Sequence, residues 1–167
     1  MARRPSAYFQ FWTHFDDSAQ RARDDGPRLD LLDAMTPVQQ RRVEAELLHR
    51  LNLDPSADGW VVDALGALGS EAAVPQLRRL TQGPVAEDAA IALWRISRWP
   101  DSVTVLSRVA QAEQGREEPR PPTMTRRLEA ARFLAEIGSP RARAALREIA
   151  TEESSPYRLQ RAITALL

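Results

Sequence analysis

The residues best suited to metal or acid–base chemistry are few and far apart. The chain has two histidines, His14 and His49, and neither belongs to an HExxH motif or has a partner at i+4. His14 stands beside Asp16 and Asp17, a setting that predicts a solvated helix position rather than a metal ligand. We therefore expect no metal site.

The acidic residues occur largely as adjacent pairs. Neighbours on a helix point about 100° apart, so such pairs suit helix N-termini and exposed faces better than an acid–base dyad. The five pairs are Asp16-Asp17, Asp24-Asp25, Glu87-Asp88, Glu117-Glu118 and Glu152-Glu153.

Composition removes further classes of chemistry. There is no cysteine, and all 23 basic residues are arginine, which excludes thiolate chemistry, disulfides, Schiff bases and a P-loop lysine. The seven glycines form no GxGxxG or GxxxxGKS motif, and no serine lies in a GxSxG elbow. The sequence predicts a protein that is not an enzyme and needs no cofactor.

The elements that would position any site are helices repeated at a fixed spacing. Leu/Ile pairs that close successive helices recur at steps of 28, 41 and 29 residues. A second set recurs at steps of 29 and 40 residues, so both sets share a period near 29 with one insertion. The first set is Leu65/Leu68, Leu93/Ile96, Leu134/Ile137 and Ile163/Leu166; the second is Leu77/Leu80, Leu106/Val109 and Leu146/Ile149.

Caps and breaks agree with this period. Ser/Thr-Pro steps at 36–37, 139–140 and 155–156 predict helix starts, and Gly69 and Gly138 predict left-handed helix ends. The proline-rich stretch 114–123 predicts a solvated loop inserted between repeats. No segment alternates with period two, so the predicted fold class is all-α.

The two clearest repeats resemble a known family. Residues 127–149 and 64–80 look like units of the HEAT-like repeat of phycobilisome-lyase-type proteins, with Ala89–Val109 as a looser copy and 36–51 similar to one repeat helix. Over roughly residues 27–167 the resemblance implies a short, right-handed α-solenoid of nine or ten helices. Family members include scaffolds, adaptors, bilin-attachment proteins and some DNA-repair proteins, so the resemblance implies several functions.

The N-terminal residues depart from the repeat. Residues 1–28 form one predicted unit and 29–167 the repeat array. Five of the ten aromatic residues fall within eight positions, and a helical stripe contains Tyr8, Phe11, Trp12 and Phe15. The expected role is a cap helix covering the open end of the stack. The alternative is a partner-binding patch that includes Phe11 and Trp12.

The predicted function is non-enzymatic protein binding through a concave face lined by the second helix of each hairpin. Polar residues at corresponding positions are the candidate contacts, namely Gln76, Arg79, Arg108, Gln111 and Arg147. An adaptor or scaffold, or an immunity-type inhibitor of a partner protein, would fit this prediction.

A HEAT-like DNA-repair glycosylase or other nucleic-acid-binding enzyme is the alternative, suggested by Trp60, Trp94 and Trp99 among several arginines. With their flanking turns, however, the second helices balance six arginines against six acidic residues, and the whole chain has zero formal charge, whereas a phosphate-binding groove should be positive. No apolar run is long enough to cross a membrane. The basic N-terminus is a poor signal peptide, so we expect a cytoplasmic location.

Overall fold

The computed structural model describes residues 5–18, 26–53, 58–111, 123–151 and 156–167, and these ranges contain ten α-helices, one 3-10 turn and no strand. The helices are α1 (Ala7–Phe15), α2 (Asp30–Asp33), α3 (Pro37–Leu53), α4 (Gly59–Ala67), α5 (Val74–Leu80), α6 (Ala86–Ser97), α7 (Ser102–Gln111), α8 (Met124–Ile137), α9 (Pro140–Thr151) and α10 (Tyr157–Thr164). The predicted all-α class is confirmed.

Side-chain caps start the helices where the sequence placed them. The Thr36 hydroxyl accepts from the Gln39 backbone N–H at 3.4 Å, while the Gln39 side chain accepts from the Thr36 N–H at 2.9 Å, forming a reciprocal capping box. Ser139 caps α9 by accepting from the Ala142 N–H at 3.1 Å. Ser155 lies outside the described residues, and so do residues 114–122 of the predicted 114–123 loop. Thr123, the last residue of the predicted loop, is the N-cap of α8.

The first helix of each repeat, namely α4, α6 or α8, is followed by a residue whose backbone is in the left-handed conformation. Gly69 has φ +67° and Gly138 has φ +61°, as predicted. The equivalent residue of the middle repeat is Arg98, the one positive-φ non-glycine residue in the described ranges, with φ 53° and ψ 37°. The steps of 29 and 40 residues between these ends reproduce the predicted period.

Helices α4 and α5 both pack against α6, and α6 packs with α7. Helix α8 packs on α7 and α9, and α10 then packs on α8 and α9. Helices α4 and α6 approach most closely at Gly66. A Cβ on this glycine would lie 2.8 Å from the Cβ of Ala92, so only glycine fits there.

The buried apolar residues form two clusters rather than one continuous core. Helix α6 separates them, because Ala89, Ala92 and Leu93 face the N-terminal cluster while Ala86 and Ala90 face the C-terminal one. Of the twelve repeat positions between residues 65 and 149, eight are buried. The other four lie near helix ends and are half-buried against these clusters: Leu68, Leu80, Ile96 and Ile137.

Candidate functional site

The predicted contact row lies on three successive second helices. Gln76 and Arg79 are on α5, Arg108 and Gln111 on α7, and Arg147 on α9. The three arginines are exposed, whereas the two glutamines are half-buried. Arg79 and Arg147 make no side-chain hydrogen bond or ion pair within the described ranges, so their guanidinium groups face solvent free.

The row is not in strict register, which corrects the expectation that its members occupy corresponding positions. The fully buried Leu77, Leu106 and Leu146 mark one position in each hairpin. Arg79 and Arg108 stand two residues after that leucine, but Arg147 stands only one after it. A one-residue offset turns a helical side chain by about 100°, so Arg147 points to a different part of the surface from the other two.

Two members of the row connect neighbouring elements. Arg108 donates to the Gln82 side chain at 2.9 Å and to the Thr81 backbone carbonyl, which ties α7 to the end of α5. Gln76 donates to the Asn52 side chain at the end of α3. These two residues therefore stabilise the stacking of the helices as well as contributing to the surface.

The second helices are positively charged. The segments α5, α7 and α9 contain six arginines and one glutamate, a net charge of +5. The sequence prediction of balanced charge counted acidic residues that do not belong to these helices. Glu71 and Asp101 lie in the turns before them, and Glu113, Glu152 and Glu153 lie outside the described residues. The helical surface is thus more basic than the sequence suggested.

The N-terminal helix α1 covers one end of the stack with its aromatic side chains. Phe11 and Phe15 are fully buried, with ring centroids 5.2 Å apart, while Tyr8 and Trp12 are half-buried. Phe11 therefore belongs to the N-terminal apolar cluster and presents no side-chain surface to a partner in this structure. Trp12 remains accessible.

Trp12 lines an open cleft of about 510 Å³ between α1 and α3. The Arg50 guanidinium lies 4.6 Å from the centroid of a Trp12 ring and forms an ion pair with Asp16 at 2.7 Å. This pairing fixes Arg50 in the cleft wall, and its partner raises the pKa of the Arg50 guanidinium.

His14 is half-buried, which corrects the prediction of a solvated position. Its ring stacks on Trp60 with centroids 5.6 Å apart and planes 10° apart, and its Nε2 lies 3.3 Å from the Gly26 carbonyl oxygen. Trp60 itself is buried. In the described ranges, no group of three His, Cys, Asp or Glu side chains could hold a metal ion.

The pair Glu87-Asp88 differs from the expected exposed pair, because Glu87 is only 2% exposed. Among the described residues, its Oε2 has no hydrogen-bond partner. Burial, together with the carboxylates of Asp88 and Glu129 and against the opposing charge of Arg126, raises the pKa of the Glu87 carboxyl to about 9. Glu87 is therefore uncharged at neutral pH.

Asp63 on α4 belongs to the same acidic group. Burial, followed by the Asp88 charge, raises the pKa of Asp63 to about 7. Asp88 is held by Arg126, whose guanidinium lies 3.7 Å from the Asp88 carboxylate. One sequence signal could have found Glu87: it shares a helical stripe with Ala90, Ile91 and Trp94, at spacings of three, four and seven.

Helices that repeat at a period near 29 residues and pack on their neighbours along the chain define a helical-repeat protein. Residues 59–83 and 126–152 match the model of the PBS lyase HEAT-like repeat, so the chain carries HEAT-like repeats of this type over those parts. The matched stretches begin in α4 and α8, and the hairpin of α6 and α7 lies between them. No curated protein and no solved structure matches the chain.

In the described part of the chain, no helix combines the length and apolar character that crossing a bilayer requires.

Proposed function

We propose that this chain is a non-enzymatic protein-interaction module that binds its partner through the second helices α5, α7 and α9. One observation carries the proposal: six arginines stand against one glutamate on these helices, and Arg79, Arg108 and Arg147 are exposed. Arginine presents a planar fork of donors that suits carboxylates and backbone carbonyls on a protein surface. HEAT-like repeats typically serve as protein-interaction modules, which supports this class of function.

The partner surface should be acidic, because the row meets it with net positive charge. Arg79 and Arg147 carry the test, since neither makes a described interaction that a substitution would break. Arg108 is less suitable for this test, because its hydrogen bonds to Thr81 and Gln82 also hold α7 on α5.

The experiment is affinity capture from the native cell lysate with the chain carrying Arg79→Glu and Arg147→Glu. The expected result is loss of the captured partner with a nearly unchanged melting curve, since exposed substitutions change stability by about 0.5 kcal/mol. The matched control carries Arg41→Glu and Arg132→Glu, which remove two exposed arginines elsewhere. Equal recovery with both double variants would contradict the proposal.

An adaptor and an immunity-type inhibitor would bind through the same surface. An activity assay of the captured partner distinguishes these two functions. If the partner is an enzyme or toxin, adding the chain should abolish its activity for an inhibitor and leave it intact for an adaptor. Either result is compatible with protein binding through the row.

A nucleic-acid-binding enzyme is the second candidate, and the +5 charge of the second helices is the observation that favours it. Such a protein should bind duplex DNA with an affinity that falls steeply with salt, by about 0.9 log units per log unit of salt for each phosphate contacted. Weak, salt-insensitive binding to plain and alkylated duplexes, with no base release, is the result expected for a protein-binding module.

A further inference from the structure

Arginine side chains cover aromatic rings around the turn between α6 and α7. Arg78 lies 5.7 Å from the centroid of a Trp99 ring, and Arg98 lies 5.6 Å from that of Trp94. Arg95 lies 5.6 Å from the Phe133 centroid on α8. We call this group, made up of Arg78, Trp94, Arg95, Arg98, Trp99 and Phe133, the turn patch.

The guanidinium groups of the turn patch are exposed, and the charge of one of them, Arg95, acts on the Asp63 carboxyl. All three arginines are exposed, and none makes a hydrogen bond or ion pair through its side chain within the described ranges. Asp101, the acidic residue of the turn, forms no ion pair with any of them. The C-terminus of α6 favours a nearby cation through its helix dipole, but this does not account for Arg78, which belongs to α5.

The backbone at Arg98 is the second observation. The equivalent left-handed positions of the flanking hairpins are Gly69 and Gly138, where glycine adopts a positive φ at no steric cost. Here the chain places an arginine at φ 53°, and its guanidinium lies over Trp94. A residue held in a strained conformation points to a role for its side chain beyond the fold.

The arrangement favours carboxylates as the ligand. A guanidinium held against a ring has its plane fixed and its N–H edge free, which suits bidentate pairing and reduces the entropy lost on binding. The near faces of the Trp94 and Trp99 rings are occupied by arginine, which hinders base stacking.

We propose that the turn patch is a binding site for a short acidic protein segment, whose carboxylates pair with Arg78, Arg95 and Arg98. The turn patch shares no residue with the row of Arg79, Arg108 and Arg147, so separate variants test the two proposals.

The test is fluorescence anisotropy with a labelled hexaglutamate peptide, with hexaglutamine as the neutral probe. The unmodified chain should bind hexaglutamate and not hexaglutamine. Arg95→Gln with Arg98→Gly should raise the Kd by about tenfold or more, since two charge-assisted pairs are lost. Arg158→Gln with Arg161→Gln removes two exposed arginines from α10 and should change the Kd by less than about twofold.

Two further variants sharpen the result. Arg98→Lys keeps the charge but cannot form a bidentate fork, so it should weaken binding several-fold, whereas full retention would overturn the role of the stacked guanidinium. Arg79→Gln with Arg147→Gln should leave hexaglutamate binding at the patch within about twofold, whatever this variant does to the partner of the row.

The proposal is overturned if hexaglutamate does not bind, or if the α10 control loses as much affinity as the patch variant. It is also overturned if a single-stranded oligonucleotide binds more tightly than hexaglutamate and loses its affinity in the patch variant, which would identify a nucleic-acid site.

Discussion

Replacing the buried Glu87 by glutamine should make the protein more stable at neutral pH and should flatten the dependence of its stability on pH. The side chain is 2% exposed, the pKa of its carboxyl is raised from 4.5 to about 9, and no described residue donates a hydrogen bond to its Oε2. The unfolded chain releases this proton above about pH 4.5, whereas the folded chain keeps it until about pH 9. Stability should therefore fall as pH rises across that range.

The magnitude follows from this difference in pKa. Neutral pH lies about 2.5 units above the ordinary pKa of glutamate, and each unit corresponds to about 1.4 kcal/mol. Folding the carboxyl in its neutral form thus costs up to about 3 kcal/mol at neutral pH, and glutamine avoids this cost while keeping the shape. The gain corresponds to an increase in melting temperature of roughly 5–10 °C for a chain of this size.

The assay is denaturation followed by far-UV circular dichroism at about pH 5, 7 and 9. The two proteins should be similar near pH 5 and diverge as pH rises. Glu71→Gln removes an exposed carboxyl and should leave the pH profile unchanged. Parallel profiles for the unmodified chain and Glu87→Gln would refute the account of Glu87 as a neutral buried acid.

Three further substitutions test the packing. Gly66→Ala should destabilise the fold by about 1–3 kcal/mol in chemical denaturation, because its Cβ would lie 2.8 Å from the Ala92 Cβ, and wild-type stability would contradict this close approach. The Arg98→Gly variant should be more stable than Arg98→Ala by about 1 kcal/mol in thermal melts. Both variants lose the guanidinium, but only alanine is strained by the positive φ at this position, so equal melting temperatures would argue against that strain. Phe11→Ala should lower the free energy of unfolding by about 3–5 kcal/mol in chemical denaturation, and Trp12→Ala should lower it by less. If a folded Trp12→Ala variant no longer captures the lysate partner, α1 is a binding site.

A second titration follows from Asp63, whose pKa is raised to about 7 by burial and by the Asp88 charge. Its folded form keeps a proton that the unfolded chain releases, so stability should be lost between about pH 4 and pH 7. Asp63→Asn should flatten only that part of the profile, as measured by the same denaturation series. A change confined to the range above pH 7 would contradict this assignment.

The features that could be predicted from the sequence are those set by local chemistry. Thr36 and Ser139 start helices because their hydroxyls satisfy free backbone N–H groups, and Gly69 and Gly138 end them because glycine tolerates a positive φ. The repeat period likewise predicts which leucines are buried. The caps and glycines act at single helix ends, and the period is a regular spacing along the chain, so a sequence pattern is enough to find them.

The features that could not be predicted depend on how helices distant in sequence meet. His14 stacks on Trp60 only because α1 packs against α4, and no local pattern places those rings together. The first turn of a helix is ordinarily a favourable place for acids, which led to the expectation that Glu87 is exposed, and its apolar stripe is the one local sign of burial. The extent of the rise in its pKa depends on neighbours from other helices, such as Glu129. The charge of the second helices was misjudged because helix boundaries decide which acidic residues belong to them.

The central claim is that a partner protein contacts the second helices, and site-specific photo-crosslinking in the native lysate tests it most directly. A photoreactive side chain placed at Arg79, and separately at Arg147, should crosslink the same partner, because both guanidinium groups face solvent on the second helices. The same side chain placed at the exposed Arg41 or Arg132 should not crosslink that partner. Crosslinks that form only from Arg41 or Arg132, or that a nuclease removes, would contradict the account.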